Sequence, residues 1–287
     1  MTNNFRSICR YHGGKGKQAQ KILPYFPPHT VYCEPFLGIG SVFLQKPRAY
    51  AEIVNDRDSI IYNLFSIIKN GALDELCHII ENTPYSRDAY EVATDILNDF
   101  GGAVCEVEQV AAFIIHNSMA YRPRLKAGFR ADVKRPYTIP AHDWTSQADV
   151  IKGFRDRLKG VVIENKDAVE VMKAADTPKT LHYLDPPYMP ETRGINSKYK
   201  HDLTEFDHEN LLNEILKLQG MVAISGYDCS LYEHILVGNG WHRINYTAYA
   251  DGAHLRTECL WLNPLCQANQ QQTDLFTPIS QKVSAHG

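Results

Sequence analysis

The stretch TVYCEPFLGIGSVFL, residues 30–44, decides the fold. β-branched and aromatic residues fill its first half, two glycines break the middle, and an apolar run resumes after them. That order reads as a strand over 30–36, a tight loop at Gly38 and Gly40, and the opening of a helix. Similar short apolar runs recur at 50–56, 160–165, 181–185 and 221–225, separated by helical patterns at 59–71 and 205–219. Strands alternating with helices predict an α/β fold, Rossmann-like, with a mostly parallel sheet. Two late runs, 242–250 and 257–263, flank the turn DGAHLR and predict a C-terminal antiparallel hairpin. Thr204, with Asp207 three residues on, has the form of a capping box for the helix at 205–219.

Glycines at 38 and 40 let the backbone approach a ligand closely, and a helix N-terminus favours anionic groups. The loop departs from G-x-G-x-x-G, because Phe36 stands in the first glycine place and the third glycine is absent. A dinucleotide pyrophosphate fits such a loop poorly. A smaller nucleoside carrying a carboxylate, such as S-adenosylmethionine, fits it better. Asp56 ends the second predicted strand, where an acid can accept hydrogen bonds from both hydroxyls of a ribose. A turn and helix cap is the other reading of that acid, since Asp58 and Ser59 follow. The upstream stretch YHGGKGKQ (11–18) lacks the Ser or Thr and the glycine spacing of a phosphate-binding P-loop, which argues against a nucleoside triphosphate.

The chain has 287 residues, 44% of them hydrophobic and 22% charged, which suits an ordinary globular protein of one large domain or a domain with an insert. Seven scattered cysteines without a C-x-x-C argue against a disulfide framework or a zinc knuckle and suggest a reducing cytoplasm. No apolar run reaches the roughly 20 residues of a membrane span, and none at the N-terminus has signal-peptide form. Net charge is −3, yet the basic residues are unevenly spread. Arg122, Arg124, Lys126, Arg130, Lys134 and Arg135 cluster between 121 and 135 against one acid, Asp132. The predicted division is a discontinuous catalytic domain (1–70 and 156–266), an insert (71–155) and a flexible polar tail (267–287).

A second stretch, LHYLDPPYMP (181–190), carries the chemistry. Asp185 falls at the carboxyl end of a predicted central strand, where open α/β sheets keep their binding crevice. Pro186 and Pro187 offer carbonyl acceptors and no backbone donors, and Tyr188 offers a flat face. The complement of such a corner is a planar group bearing NH2: adenine N6, cytosine N4 or a side-chain amide. Hydrogen bonds from both amine protons, to Asp185 and the Pro186 carbonyl, would stabilise the charge that grows as the nitrogen attacks an electrophilic methyl.

In the order YHGGK, EPFLGIGSVFL, EIVNDRD, a long insert, ENKDAVEVM, LDPPY and ISGYD, residues 5–264 resemble the DNA adenine methylase family. The resemblance implies methyl transfer from S-adenosylmethionine to adenine N6 in double-stranded DNA, without a metal. It implies that Tyr11, Lys15, Glu34, Phe36, Gly38, Gly40, Asp56, Asp167 and Asp185 bind the cofactor, and that Asp185, Pro186, Pro187 and Tyr188 are catalytic. ISGYD departs from the ISNHD of better-known relatives, and Asp228 is assigned no role. Methylation of RNA or of a protein amide, and a non-catalytic DNA-binding protein on a methylase scaffold, remain as rival readings.

A base inside a duplex must be flipped out to reach such a pocket. Arg122, Arg124, Lys126 and Arg130, then Lys198 beyond the catalytic corner, are the candidates for phosphate contacts; a plain solvated role is the alternative for each. The tail segment QTDLF (Gln272–Phe276) resembles the peptide with which bacterial replication and repair proteins hold the DNA sliding clamp, a solvated tail being the alternative reading. The expected assembly is a monomer or weak dimer.

Overall fold

The computed structural model describes residues 6–99, 104–122, 127–132, 134, 139–192, 201–249 and 255–276. Its strands are β1 (Val31–Glu34), β2 (Ala51–Asn55), β3 (Val161–Glu164), β4 (Thr180–Leu184), β5 (Met221–Tyr227), β6 (His242–Tyr249) and β7 (Leu255–Leu262). They form one sheet in the order β3-β2-β1-β4-β5-β7-β6. From β2 to β5 the pairs are parallel, with Val31 opposite both Ala51 and Thr180, and Leu181 opposite Met221. β7 joins antiparallel to β5, and β6 is its hairpin partner. The architecture is therefore the mostly parallel α/β sheet with a C-terminal hairpin that the sequence pattern predicts.

β4 is buried at every residue, as a central parallel strand covered on both faces must be. Side chains alternate faces, so its register divides the sheet residues into two sets. One set, with Cys33, Leu184, Val222, Ile224, Cys259 and Trp261, forms a core with Val171 and Met172 and with Leu211, Leu212 and Ile215. Those partners come from two helices whose apolar stripes need such cover, here labelled α5 (Ala168–Ala175) and α6 (Glu205–Ile215). The other set mixes aliphatic residues, such as Leu181 and Leu260, with the aromatic and polar Tyr32, Glu34, Tyr183, Ser225, Tyr227, Tyr246 and Glu258. Phe26 covers part of it, with ring centroids 6.1 Å from Tyr32 and 5.3 Å from Tyr183.

At the amino end of the sheet, Asp176 closes the turn that feeds β5. Its carboxylate accepts from the backbone N–H of Gln219 (2.8 Å) and Gly220 (2.9 Å) and lies 3.1 Å from His182 Nε2. Burial lowers the pKa of His182, so the imidazole is held neutral there. Gly220 is required, because a Cβ would meet the Thr180 carbonyl oxygen at 2.8 Å.

The chain clusters into two compact units. One contains Lys17–Phe36, Lys46–Arg57 and the chain from Lys166, including every strand except β3. The other contains the chain up to Gly16, the glycine loop Leu37–Gln45 and Asp58–Asn165. Its longer helices are α1 (Ser59–Asn70), α2 (Leu73–Asn82), α3 (Arg87–Asn98) and α4 (Glu106–Met119). Asp58 caps α1 through Ile60 N–H, Ser86 caps α3 through Ala89 N–H, and Gly71 ends α1 at φ 114°. Ten of the fourteen residues of α4 are buried, which makes it the central helix of this unit. Thr204 and Asp207 form the expected capping box on α6.

Two expectations are corrected. No helix opens after Gly40: the Leu44 N–H to Gly40 carbonyl bond (2.9 Å) closes one turn and no more. A further turn needs a donor at residue 47 for the Phe43 carbonyl, but that residue is Pro47, and the carbonyl accepts from Arg157 instead (2.9 Å). The tail is also ordered further than expected, since helix α7 runs Pro264–Phe276. Its start is tied to β5, with Asn263 Oδ1 accepting from Val222 N–H and Cys266 N–H.

Candidate active site

In the sheet unit, the chain leaves β4 at Leu184 and presents Asp185 half-buried, followed by buried Pro186, half-buried Pro187 and buried Tyr188. Asp185 continues the alternation of the polar sheet face, after Leu181 and Tyr183. Two residues away on β1, Glu34 on that face is 2% exposed and accepts a hydrogen bond from the Tyr32 hydroxyl at 2.5 Å. The Tyr183 hydroxyl lies 3.0 Å from Ser225 Oγ.

Tyr188 is held by groups that the sequence reading did not find. Its hydroxyl donates to Glu258 Oε2 at 3.2 Å, and the Tyr246 hydroxyl donates to the same oxygen at 3.1 Å. Tyr227 meets the Tyr188 ring edge-on, with centroids 4.7 Å apart and planes at 76°. The signal for Glu258 was a lone acid inside the apolar strand pattern TECLWLN, which only the pairing of Tyr227, Glu258 and Tyr246 across β5, β7 and β6 makes meaningful.

Asn55 is a second missed residue. Fully buried at the end of β2, its amide donates to the carbonyls of Pro35 (2.9 Å) and Lys166 (3.1 Å), and its oxygen accepts from Lys166 N–H (2.9 Å). One side chain thereby ties together the exit of β1, the residue before Asp56 and the residue before Asp167. Asp56 is half-buried there, and Phe36 packs at the margin of the apolar core. Asp167 is exposed and caps α5 by accepting from Val169 N–H at 2.9 Å.

The remaining cofactor candidates lie in the other unit. Gly38 and Gly40 adopt φ of 51° and 68°, values a side chain would strain. A Cβ on Gly40 would sit 2.9 Å from Phe65 Cζ, and one on Gly38 would sit 3.2 Å from the Tyr11 ring. Tyr11 packs near Phe113, and Lys15 is 5% exposed. The glycine loop and the Tyr11 segment thus pack backbone-close, with no room for side chains between them. Glycine at both positions leaves the backbone of this loop open to close approach.

Of the basic candidates, Arg122 is exposed and Arg130 half-buried; Arg124, Lys126 and Lys198 lie outside the described residues. The described residues beside Arg122 and Arg130 are fastened through their backbone. Tyr121 N–H donates to Gly128 (2.8 Å), Arg130 N–H to Met119 (2.7 Å), the Tyr85 hydroxyl to Arg130 (2.8 Å) and the Tyr90 hydroxyl to Ala127 (3.1 Å). Arg10 adds bonds to the carbonyls of Ala120 and Tyr121 at 3.0 and 3.1 Å. Gln272–Phe276 form the last residues of α7, and their side chains lie outside the described set. Asp228 pairs with Arg243 at 2.8 Å. Among the described residues no His, Cys, Asp and Glu group has metal-site geometry, and no helix is long and apolar enough to cross a membrane.

Residues 11–248 match the D12 class N6 adenine-specific DNA methyltransferase family, and the chain belongs to it. The activity of that class is methyl transfer to the exocyclic N6 of adenine in DNA. Among its relatives, a DNA adenine methylase of Salmonella typhi is 23% identical over 235 residues, covering 79% of this chain and 82% of the relative. A DNA adenine methylase of Escherichia coli K12 is 22% identical, covering 67% and 68%. A DNA N-6-adenine-methyltransferase of Escherichia phage P1 is 24% identical, covering 74% of this chain and 28% of its own length.

Burial raises the buried phenols and thiols of the sheet unit. The phenols of Tyr32, Tyr183 and Tyr188 are pushed well above 10, first by burial and then by neighbouring carboxylates, including Asp185 for the last two. Burial raises the thiols of Cys33 and Cys266 to about 12 and that of Cys259 to about 11. Each group holds its proton more tightly folded than unfolded, so its contribution is complete below the unfolded pKa and is lost as pH rises beyond it. Stability should therefore start to fall near pH 9 as unfolded thiols ionise, and fall faster above pH 10, by up to about 1.4 kcal/mol per pH unit for each buried phenol. Urea midpoints measured from pH 8 to 11 check this; a flat profile would contradict the burial of these groups.

Proposed function

We propose that this chain is an S-adenosylmethionine-dependent enzyme that methylates N6 of a flipped-out adenine in duplex DNA, with Asp185, Pro186, Pro187 and Tyr188 as the catalytic corner. The observation that carries the reading is the position of Asp185 and Tyr188: a carboxylate, carbonyls and a ring at the carboxyl end of β4, in a chain of this family. When bound, S-adenosylmethionine supplies an electrophilic methyl group. The chain's own part is to make the adenine nitrogen a better nucleophile. The Asp185 carboxylate and Pro186 carbonyl accept its two hydrogens, which draws the lone pair out of conjugation and stabilises the developing positive charge. Tyr188 stacks on the flipped base and offsets part of the few kcal/mol that unstacking costs.

The cofactor residues in this reading are Tyr11, Lys15, Glu34, Phe36, Gly38, Gly40, Asp56, Asp167 and Asp185. Support comes from the side-chain-free cradle at Gly38 and Gly40 and from Asn55, which gathers the Asp56 and Asp167 turns. Asp185→Ala should abolish methyl transfer while leaving S-adenosylmethionine binding within a small factor. Labelled-methyl turnover and calorimetric binding check the two halves, and retained turnover would remove Asp185 from the mechanism.

Arg122 and Arg130, with Arg124, Lys126 and Lys198, are proposed to neutralise backbone phosphates, and residues 71–155 to read the target. The backbone fastening of residues 119–121 and 127–130 supports this, because a presented loop must hold its shape under load. Replacing Arg122, Arg124 and Lys126 together should weaken duplex binding and lower the slope of log affinity against log salt by about 2–3, since fewer counterions are released. An unchanged slope would move the DNA surface elsewhere. A cytoplasmic location follows from the DNA substrate.

For Gln272–Phe276 we propose sliding-clamp binding, in which Leu275 and Phe276 fill an apolar pocket and Gln272 anchors them. Tethering of this kind raises local concentration on newly copied DNA. Truncation after residue 270 should lose clamp retention in a pull-down, and unchanged retention would end the idea.

A further inference from the structure

We infer that Glu258 is the residue that sets the pose of the Tyr188 ring. It is a positioning residue that acts through the tyrosine hydroxyl, and the inference rests on the proposal that Tyr188 stacks on the target base. Two prolines stiffen the backbone before Tyr188, but they leave the side chain free to rotate about its own bonds. A stacking platform requires that rotation to be stopped. Among the described residues, three contacts meet the ring at different points. Glu258 Oε2 takes the hydroxyl at 3.2 Å, Tyr227 meets the ring edge-on at 4.7 Å between centroids, and burial to 7% exposure confines the remainder. Only the first is directional at the ring's tip.

Glu258 is suited to that task by its own restraints. It sits at 5% exposure on β7, directly between Tyr227 of β5 and Tyr246 of β6 in the sheet register. An acid so placed is costly unless its oxygens are bonded, and the Tyr246 hydroxyl shares the same oxygen at 3.1 Å. The hairpin thus delivers a fixed acceptor to a residue more than sixty positions earlier in the chain. A carboxylate acceptor also keeps the phenol protonated and donating, the form the bond needs.

The test is a double-substitution cycle. Glu258→Leu and Tyr188→Phe should each lower kcat about tenfold, the size of one charge-assisted hydrogen bond, with KM for S-adenosylmethionine within a small factor. The double variant should fall no further than either single one, because both remove the same bond. Glu258→Gln, which keeps an acceptor oxygen, should recover most of the rate. Effects that multiply in the double variant, or an unchanged kcat in Tyr188→Phe, would overturn the inference. Should Glu258→Leu fail to fold, Tyr188→Phe still decides, since it keeps the ring and deletes only the tether. A readout without turnover separates this inference from the functional one. In the protein alone, the carbon-13 signal of Tyr188 Cζ, assigned by its loss in Tyr188→Phe, should shift in Glu258→Leu as the hydroxyl loses its acceptor, and stay near its wild-type position in Glu258→Gln. Unaltered ring signals with an active wild-type enzyme would defeat the positioning role alone. Altered signals with an enzyme that methylates no DNA would defeat the functional reading alone.

Discussion

The two-residue alternation of β4 is the constraint on which the rest of the sheet unit depends. Its odd and even positions must face opposite ways, and parallel neighbours lock that choice on both sides. Cys33, Leu184, Val222 and Ile224 therefore enter one core together with α5 and α6. The same register commits Tyr32, Glu34, Tyr183 and Ser225 to the other face, with Asp185 next in the alternation. A slip by one residue would turn the carboxylate into the aliphatic core and Leu184 out of it, so fold stability and the placement of Asp185 share one cause.

Support for the candidate site comes from small polar clamps rather than from bulk burial. Asn55 binds three backbone groups and so gathers the turns after β1, β2 and β3. Asp176 performs a similar service at the opposite end, where it receives two N–H groups and His182. Each clamp satisfies buried polar groups that would otherwise cost about 1–3 kcal/mol apiece. The hairpin β6–β7 extends the same logic: an antiparallel pair brings its side chains directly opposite one another, and this lets Glu258 serve two tyrosines at once.

Much of this was legible in the linear order of residues. Alternating apolar runs marked all seven strands, because local β-propensity and burial agree along each of them. Asp58, Thr204 and Asp207 marked helix ends, since a cap bonds to groups within three residues of itself. LDPPY marked the end of β4 because two prolines cannot continue a ladder. The glycine loop misled on one point. Its apolar continuation resembles a helix start, and nothing local shows that the Phe43 carbonyl is claimed by Arg157, 114 positions away. The polar run from residue 267 also misled, because α7 gains its footing from Asn263 against β5 and not from its own composition.

Sequence alone determined the fold class, the motif order that marks this family, and the place of Asp185, two prolines and Tyr188 at the end of β4. Those features are local: they follow from periodicity, from proline and glycine chemistry, and from residue types within a few positions. Tertiary structure alone decided which side chains surround that corner. Glu258, Tyr246, Tyr227 and Asn55 meet their partners only through strand pairing and loop closure across tens of residues. No short window of the chain contains both members of such a contact, and so it becomes visible only when the sheet has formed.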